Sequence, residues 1–517
     1  MLVKVYGSAV QGIDACVITI EVQVERGIKF FLVGLPDSAV RESHERIVTA
    51  LQISGFRYPT RQIIINMAPA DVRKEGAAYD LPLAVGILAA VGEISADLLS
   101  CYTIMGELSL DGSLMPLRGA LSMALKAKES GFKGIILPKQ NMEEAAVVSD
   151  ETFSVYGAAD IRSVTNFLNG DVSSLEKAVL CKEMDSSNAC GESGLLDFRD
   201  VCGQDSVKRA IEVAASGAHN LIMIGPPGSG KSMMATRINT ILPPLTMQES
   251  LETTRIHSVA GKVSGGLIRL RPFRAPHHTI SSVALVGGGA NAMPGEISLA
   301  CNGVLFLDEL PEFSKHTLDM LRQPLEDGKI RISRVKYSVE YPADFMLIAS
   351  MNPCPCGYYN HPTRQCTCSP GAISRYLGHV SGPLLDRFDI QVQILPVSYA
   401  DMCSTAPQES SAAIRERVMN ARQIQLDRFA ADSSNSGIFS NSQMTSAQIR
   451  RYATPDADGK ALLGEAMERL QLSARAYSRI LKVARTIADM ESSPTVSAVH
   501  IAEAIGYRTL DRSSWGT

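Results

Sequence analysis

The sequence has no apolar run of 18 residues, which excludes a conventional transmembrane helix. Its opening, Met-Leu-Val-Lys-Val-Tyr, has neither the basic start nor the long apolar centre of a secretory signal. These two absences predict a cytoplasmic protein with no membrane partner. Excess positive charge is missing too: 50 Lys and Arg against 54 Asp and Glu give a formal net charge of −4. Any nucleic acid must therefore meet a local patch or a pore, not a uniformly basic surface. The 11 cysteines are scattered except for four at 354–368, and a reducing compartment disfavours disulfides. A hydrophobic share of 45% and a charged share of 20% describe a soluble globular protein. At 517 residues the chain is too long for one core, so about two to four domains are expected.

The chain is organised around Gly225-Pro226-Pro227-Gly228-Ser229-Gly230-Lys231-Ser232. The apolar run Leu221 to Ile224 precedes it, and a helical pattern from Met233 to Ile241 follows. Strand, glycine loop and helix form the setting in which this pattern binds phosphate. N–H groups of the loop and the helix start point at phosphate oxygens, and the helix dipole favours negative charge there. Lys231 is placed to reach the β- and γ-phosphates of ATP, and Ser232 to hold Mg²⁺. Further on, the apolar strand Val304-Leu305-Phe306-Leu307 ends in Asp308-Glu309. Asp308 is placed to support Mg²⁺ and Glu309 to polarise the attacking water. Phosphoryl transfer needs these parts because it is mostly positioning and charge stabilisation. A glycine turn and an ordinary acidic strand end are the bland alternatives, and the two patterns together disfavour both.

Residues 1–170 read as an α+β domain. Strands are expected at Ile18–Val24, Ile28–Val33 and Gln62–Asn66, and helices at Asp37–Ser54 and Asp80–Val91. Three segments, Lys74–Ala78, Gly106–Gly119 and Ile135–Asn141, resemble the proteolytic domain of Lon-type proteases, with its ribosomal S5 domain 2-like fold. The resemblance stops at the chemistry. Ala78 stands at the position of the nucleophile and Leu121 at that of the catalytic lysine. Without nucleophile and base there is no acyl transfer, so the resemblance implies a fold retained for binding or assembly. The polar, small-residue stretch 171–198, with Asp185–Gly194 at its centre, reads as a linker, and Cys181 and Cys190 within it as incidental thiols.

Residues 199–397 carry the nucleotide motifs. The long interval between the two motifs, with Arg274–Ser281 and Leu285–Ala290, resembles the helix-2-insert clade of AAA+ ATPases. Adjacent His277 and His278 would face different ways and read as structural. The resemblance implies further roles. Gly203 and Gln204 would lie near the nucleotide base. Asn352, at the end of the buried strand from Phe345, would be sensor 1 and orient the water. Arg387, in Gly382–Asp389, would be an arginine finger acting on a neighbour's γ-phosphate, which implies a homo-hexameric ring. The alternating stretch Lys329–Pro342 reads as a hairpin with four cations in its first eight residues. In the clade this hairpin points into the pore, where Arg334 and Lys336 would grip a DNA backbone. A solvated basic hairpin is the alternative.

Cys354, Cys356, Cys366 and Cys368 form two Cys-x-Cys pairs nine residues apart. Four soft ligands on a short loop suit a structural Zn²⁺ with no open position, with His361 in reserve. Free thiols or a redox pair are the alternatives. The same loop could present Tyr358, Tyr359 and Arg364 to DNA. Residues 398–517 read as a helical lid, with helices at Ser411–Ala430, Asp458–Leu470, Ala476–Met490 and His500–Tyr507. Arg475 matches the sensor-2 arginine of the clade; a surface arginine is the alternative.

Nearly the whole length resembles the bacterial YifB/ComM family of magnesium-chelatase-like proteins. Asn352–Tyr358, Ala372–Tyr376, Ser473–Asp489 and Ala504–Arg508 carry that likeness. It implies a hexameric ATP-driven DNA motor for branch migration during natural transformation, in company with recombination proteins. Remodelling of a protein partner is the other reading.

Overall fold

A computed structural model describes residues 2–179 and 196–508, except 335–336, 398–407, 432–436 and the single positions 75, 264, 290, 362 and 471. The centre of the expected linker with Cys181 and Cys190, the start of the lid, and Lys336 lie outside the described residues.

Alternating apolar residues build the N-terminal sheet. Val3 and Val5 on Leu2–Gln11, and Ile18, Ile20 and Val22 on Asp14–Glu25, turn one face of an antiparallel pair inward. Ile63, Ile65 and Met67 do the same on Gln62–Ala68. Eight strands form the mixed sheet. Glu176–Lys177 and Phe30–Val33 are its edges, and the Leu2–Gln11 pair is central. The helix Asp80–Val91, apolar on nearly all sides and buried from Asp80 to Ala89, packs on that central pair. Ser38–Ile53 packs on it in turn, capped by Asp37, whose carboxylate accepts from the N–H of Val40 at 2.8 Å. The strand Glu176–Lys177 comes from the stretch read as linker, and Leu175 and Ala178 are buried in the same core.

The second sheet has five parallel strands. Their order is Phe273–Arg274, Val304–Leu307, Met346–Met351, Leu221–Ile224, Ile390–Gln393. Both faces are covered, which is why these strands are apolar runs and do not alternate. Leu221, Met223 and Phe306 face one core; Ile222, Ile224, Leu305 and Leu307 face the other. The first core also takes side chains from Asp205–Gly217, Ser411–Ala430, Ala474–Met490 and Ala498–Gly506. The C-terminal helices therefore share a core with the sheet.

The N-terminal domain meets the hairpin and a helix of the second part of the chain at a corner. The turn between the first two N-terminal strands puts Gly12 (φ +64°) so close to Val339 that an added Cβ would lie 2.5 Å from its Cγ1. Val339 belongs to the hairpin Lys329–Arg334 and Tyr337–Pro342. Arg255 of the helix Met247–Val259 donates to the carbonyl of Ile13 at 2.8 Å, and Ser258 of that helix bonds Glu144. Ala78 lines a cleft of about 1020 Å³ that Ser338 and Val339 also wall. Leu121 is wholly buried. Among the described residues no helix is long and apolar enough to cross a membrane.

Candidate nucleotide site and cysteine cluster

Parallel pairing aligns the strand ends. Ile224 stands opposite Met351 and Leu307 opposite Ala349, so the loop after each strand opens on the same edge. That edge gathers Gly225–Ser232, Asp308, Glu309 and Asn352. Gly228 (φ +75°) and Gly230 (φ +89°) take left-handed conformations that let the loop curl. Nζ of Lys231 donates to the carbonyls of Gly225 (2.8 Å) and Pro226 (2.9 Å) and to Oδ1 of Asn352 (3.1 Å). Burial pushes the Lys231 ammonium below its usual value, while Asp308 and Glu309 pull it back. The hydroxyl of Ser229 is buried and has no hydrogen-bond partner. A partly desolvated cation with neutral partners beside an orphaned hydroxyl fits an anionic phosphate chain.

Ser232 Oγ donates to Asp308 Oδ2 at 2.7 Å, and Ser350 Oγ donates to the other carboxylate oxygen. Ser232 and Asp308 therefore meet as a hydroxyl–carboxylate pair, a donor set suited to Mg²⁺. Glu309 follows in a left-handed conformation (φ +53°), which turns the chain sharply after Asp308. Gln204 also has positive φ (+62°), and its amide donates to the carbonyl of Leu395 at 2.6 Å, next to Ile394, which pairs with Ile224. Ser350 was not anticipated; its signal is a polar residue inside an otherwise apolar strand.

Arg387 and Arg475 lie elsewhere. The N–H groups of Asp389 and Ile390 bond the carbonyl of Asn220, which directly precedes the strand Leu221–Ile224. Arg387 thus sits at the starting edge of the sheet, and four strand residues, about 13 Å, separate that edge from the nucleotide loop. It is nearly buried and pairs with Glu326; Arg475 approaches the same carboxylate at 3.7 Å and is mostly exposed. Burial lowers the Arg387 pKa, Glu326 opposes this, and Arg475, Arg322 and Arg479 add to the lowering. Glu326 was unforeseen, since an acid on a short helix carries no sequence signal.

On the hairpin, Glu340 pairs with both Lys329 (2.7 Å) and Arg331 (2.8 Å). Arg334 ends the first strand. The rings of His277 and His278 do not face different ways: their centres are 4.0 Å apart, with planes tilted by 35°.

Among the described residues one set of metal-ligating side chains converges: Cys354, Cys356, Cys366 and Cys368, whose sulfurs lie within 4.8 Å of one another. Burial works against ionisation of Cys356, but the N–H groups of Tyr358 and Thr367 bring its thiol down to about 5. His361 is turned away, its Nδ1 accepting from the N–H groups of Thr363 (3.2 Å) and Arg364 (3.1 Å). Arg364 lies over the Tyr358 ring at 5.1 Å.

Comparison with known proteins extends these findings. A family model described as magnesium chelatase, subunit ChlI, matches residues 197–402. Others, for subunit ChlI of Mg-chelatase and for its C-terminal part, match 20–141 and 408–508. The chain is 43% identical to competence protein ComM of Haemophilus influenzae over 516 residues, 99% of this chain and 98% of the relative. It is 43% identical to the uncharacterized protein YifB of Escherichia coli over 511 residues, 98% of this chain and 97% of the relative. Over 106 residues, 20% of this chain and 19% of the relative, it is 30% identical to Lon protease 2 of Bacillus subtilis. The α/β organisation, parallel sheet and C-terminal helices fit a magnesium-chelatase-like AAA+ domain, a family trait that implies ATP and Mg²⁺. On the strength of matches that run the length of the chain, it belongs to the YifB/ComM family of magnesium-chelatase-like proteins.

Proposed function

We propose that this protein is a ring-forming ATPase of the helix-2-insert clade, a homo-hexamer that moves DNA in the cytoplasm and promotes branch migration during natural transformation. The observation that carries the ring is the separation of parts. Lys231, Ser232, Asp308 and Asn352 share one edge of the sheet, and Arg387 and Arg475 share the other. An arginine about 13 Å from its own nucleotide loop supplies transition-state charge only to a neighbouring subunit. Lys231 binds the phosphates, Ser232 and Asp308 hold Mg²⁺, and Glu309 and Asn352 orient water. Held by Ser232 and Asp308, Mg²⁺ would supply positive charge against that developing on the phosphates.

The DNA reading is supported by the basic hairpin beside Arg334 and Lys336, and by the likeness to a relative named for competence. The N-terminal domain, Lon-like with Ala78 and Leu121 in place of nucleophile and base, serves assembly or binding. Zn²⁺ at the four cysteines is structural. The test is the ATPase rate with single-stranded, duplex and forked DNA across a salt series. Stimulation that fades with salt supports phosphate contacts in a motor. Absence of stimulation by any nucleic acid favours remodelling of a protein partner.

A further inference from the structure

The cysteine loop touches the nucleotide loop. Gly357, the residue after Cys356, has φ +82°, and a Cβ built on it would come within 2.4 Å of Cδ of Pro227. Its N–H donates to the carbonyl of Cys354 at 2.9 Å. The turn that brings Cys354 and Cys356 together is therefore the turn that presses on the P-loop. A second link runs through the backbone. Cys354, fully buried, lies two residues after Asn352, whose amide oxygen accepts from Lys231.

The sulfur spacing suits an ion. Four ligands at about 2.3 Å around tetrahedral Zn²⁺ stand about 3.8 Å apart. The Cys354–Cys366 and Cys356–Cys366 sulfurs are 3.7 and 3.6 Å apart, and the Cys354–Cys356 sulfurs 3.3 Å. With Cys368 they present four soft donors, all within 4.8 Å of one another, to a single tetrahedral cation. Closing them on one ion fixes the Gly357 turn and the chain leading back to Asn352 together.

We propose that the metal-closed cysteine knuckle positions the nucleotide loop, so that ATP affinity follows metal occupancy through the contact of Gly357 with Pro227. Gly357 is a positioning residue: it touches Pro227 and not the phosphates. The inference rests on reading Gly225–Ser232 as the ATP site, and the experiment separates the two.

Full-length protein is loaded with Zn²⁺, then stripped with a zinc-selective chelator in excess Mg²⁺. Metal per chain, anisotropy of a fluorescent ATP analogue and circular dichroism are measured together. Stripping is expected to weaken analogue binding at least tenfold with unchanged helical signal, and Zn²⁺ to restore it. Gly357→Ala, which leaves all four thiols in place, is expected to keep its zinc and still bind the analogue about tenfold more weakly. Binding within twofold after stripping, or wild-type affinity in zinc-bound Gly357→Ala, overturns the coupling and leaves the ATPase reading intact. A wild type that retains no zinc also overturns it. Failure of the zinc-loaded wild type to bind the analogue overturns the ATP-site reading itself, and the inference with it.

Discussion

Glu326 holds Arg387 by an ion pair at the starting edge of the parallel sheet, in a setting where the arginine is almost entirely buried. The carbonyls of Arg322 and Pro383 accept from the same guanidinium and fix its direction. Arg387→Ala should keep ATP binding and lose about a thousandfold in turnover, the low end for an arginine finger. Mixing decides whether it acts in trans. Arg387→Ala and Lys231→Ala subunits, each inactive alone, should regain part of the activity when combined, because some interfaces pair an intact loop with an intact arginine. Steady-state phosphate release from the mixture is the measurement, and its staying at background refutes the role.

Lys231→Ala should abolish binding of a fluorescent ATP analogue, since it removes the half-buried cation that three neutral oxygens hold in the loop. Glu309→Gln should instead bind ATP and fail to turn it over. Equilibrium binding and single-turnover hydrolysis tell the two apart; normal turnover in either variant contradicts the assigned part.

Much of the candidate site was legible in the sequence because a glycine-rich loop is local: eight consecutive residues carry it, and the flanking strand is apolar enough to be recognised. Ser411–Ala430 was bounded correctly by its helical spacing alone. Nonlocal facts were hidden. Ser350 supports Asp308 from 42 residues away, and Glu326 reaches Arg387 from 61 residues away, so neither spacing leaves a pattern. Glu176–Lys177 is too short and polar to read as a strand, and only its pairing with Ser154–Ala158 makes it one.

Metal analysis of the purified protein should find about one zinc per chain, as four closed thiolate ligands require. Cys354→Ser should lose most of it. Zinc-free protein with four freely titrating thiols would remove the metal assignment.

Acid should weaken the fold near His219. This imidazole is fully buried, and burial holds its pKa below the ordinary 6.5 despite Asp389 at 3.7 Å; Lys482 and Arg422 lower it further. The unfolded chain therefore binds the proton more readily, and stability present above about pH 6.5 declines as pH falls below it. One such proton contributes at most about 1.4 kcal/mol per pH unit. His257 shifts in the same direction. Urea midpoints between pH 7 and 5.5 should fall in the wild type and fall less in His219→Gln; equal slopes would mean that His219 accepts its proton in place.

The corner where Gly12 meets Val339 has a mechanical consequence. The hairpin is geared to the N-terminal domain at its side, with no room for a methyl group between them. Any displacement of the hairpin must then carry the eight-stranded sheet along as one body or slip against it.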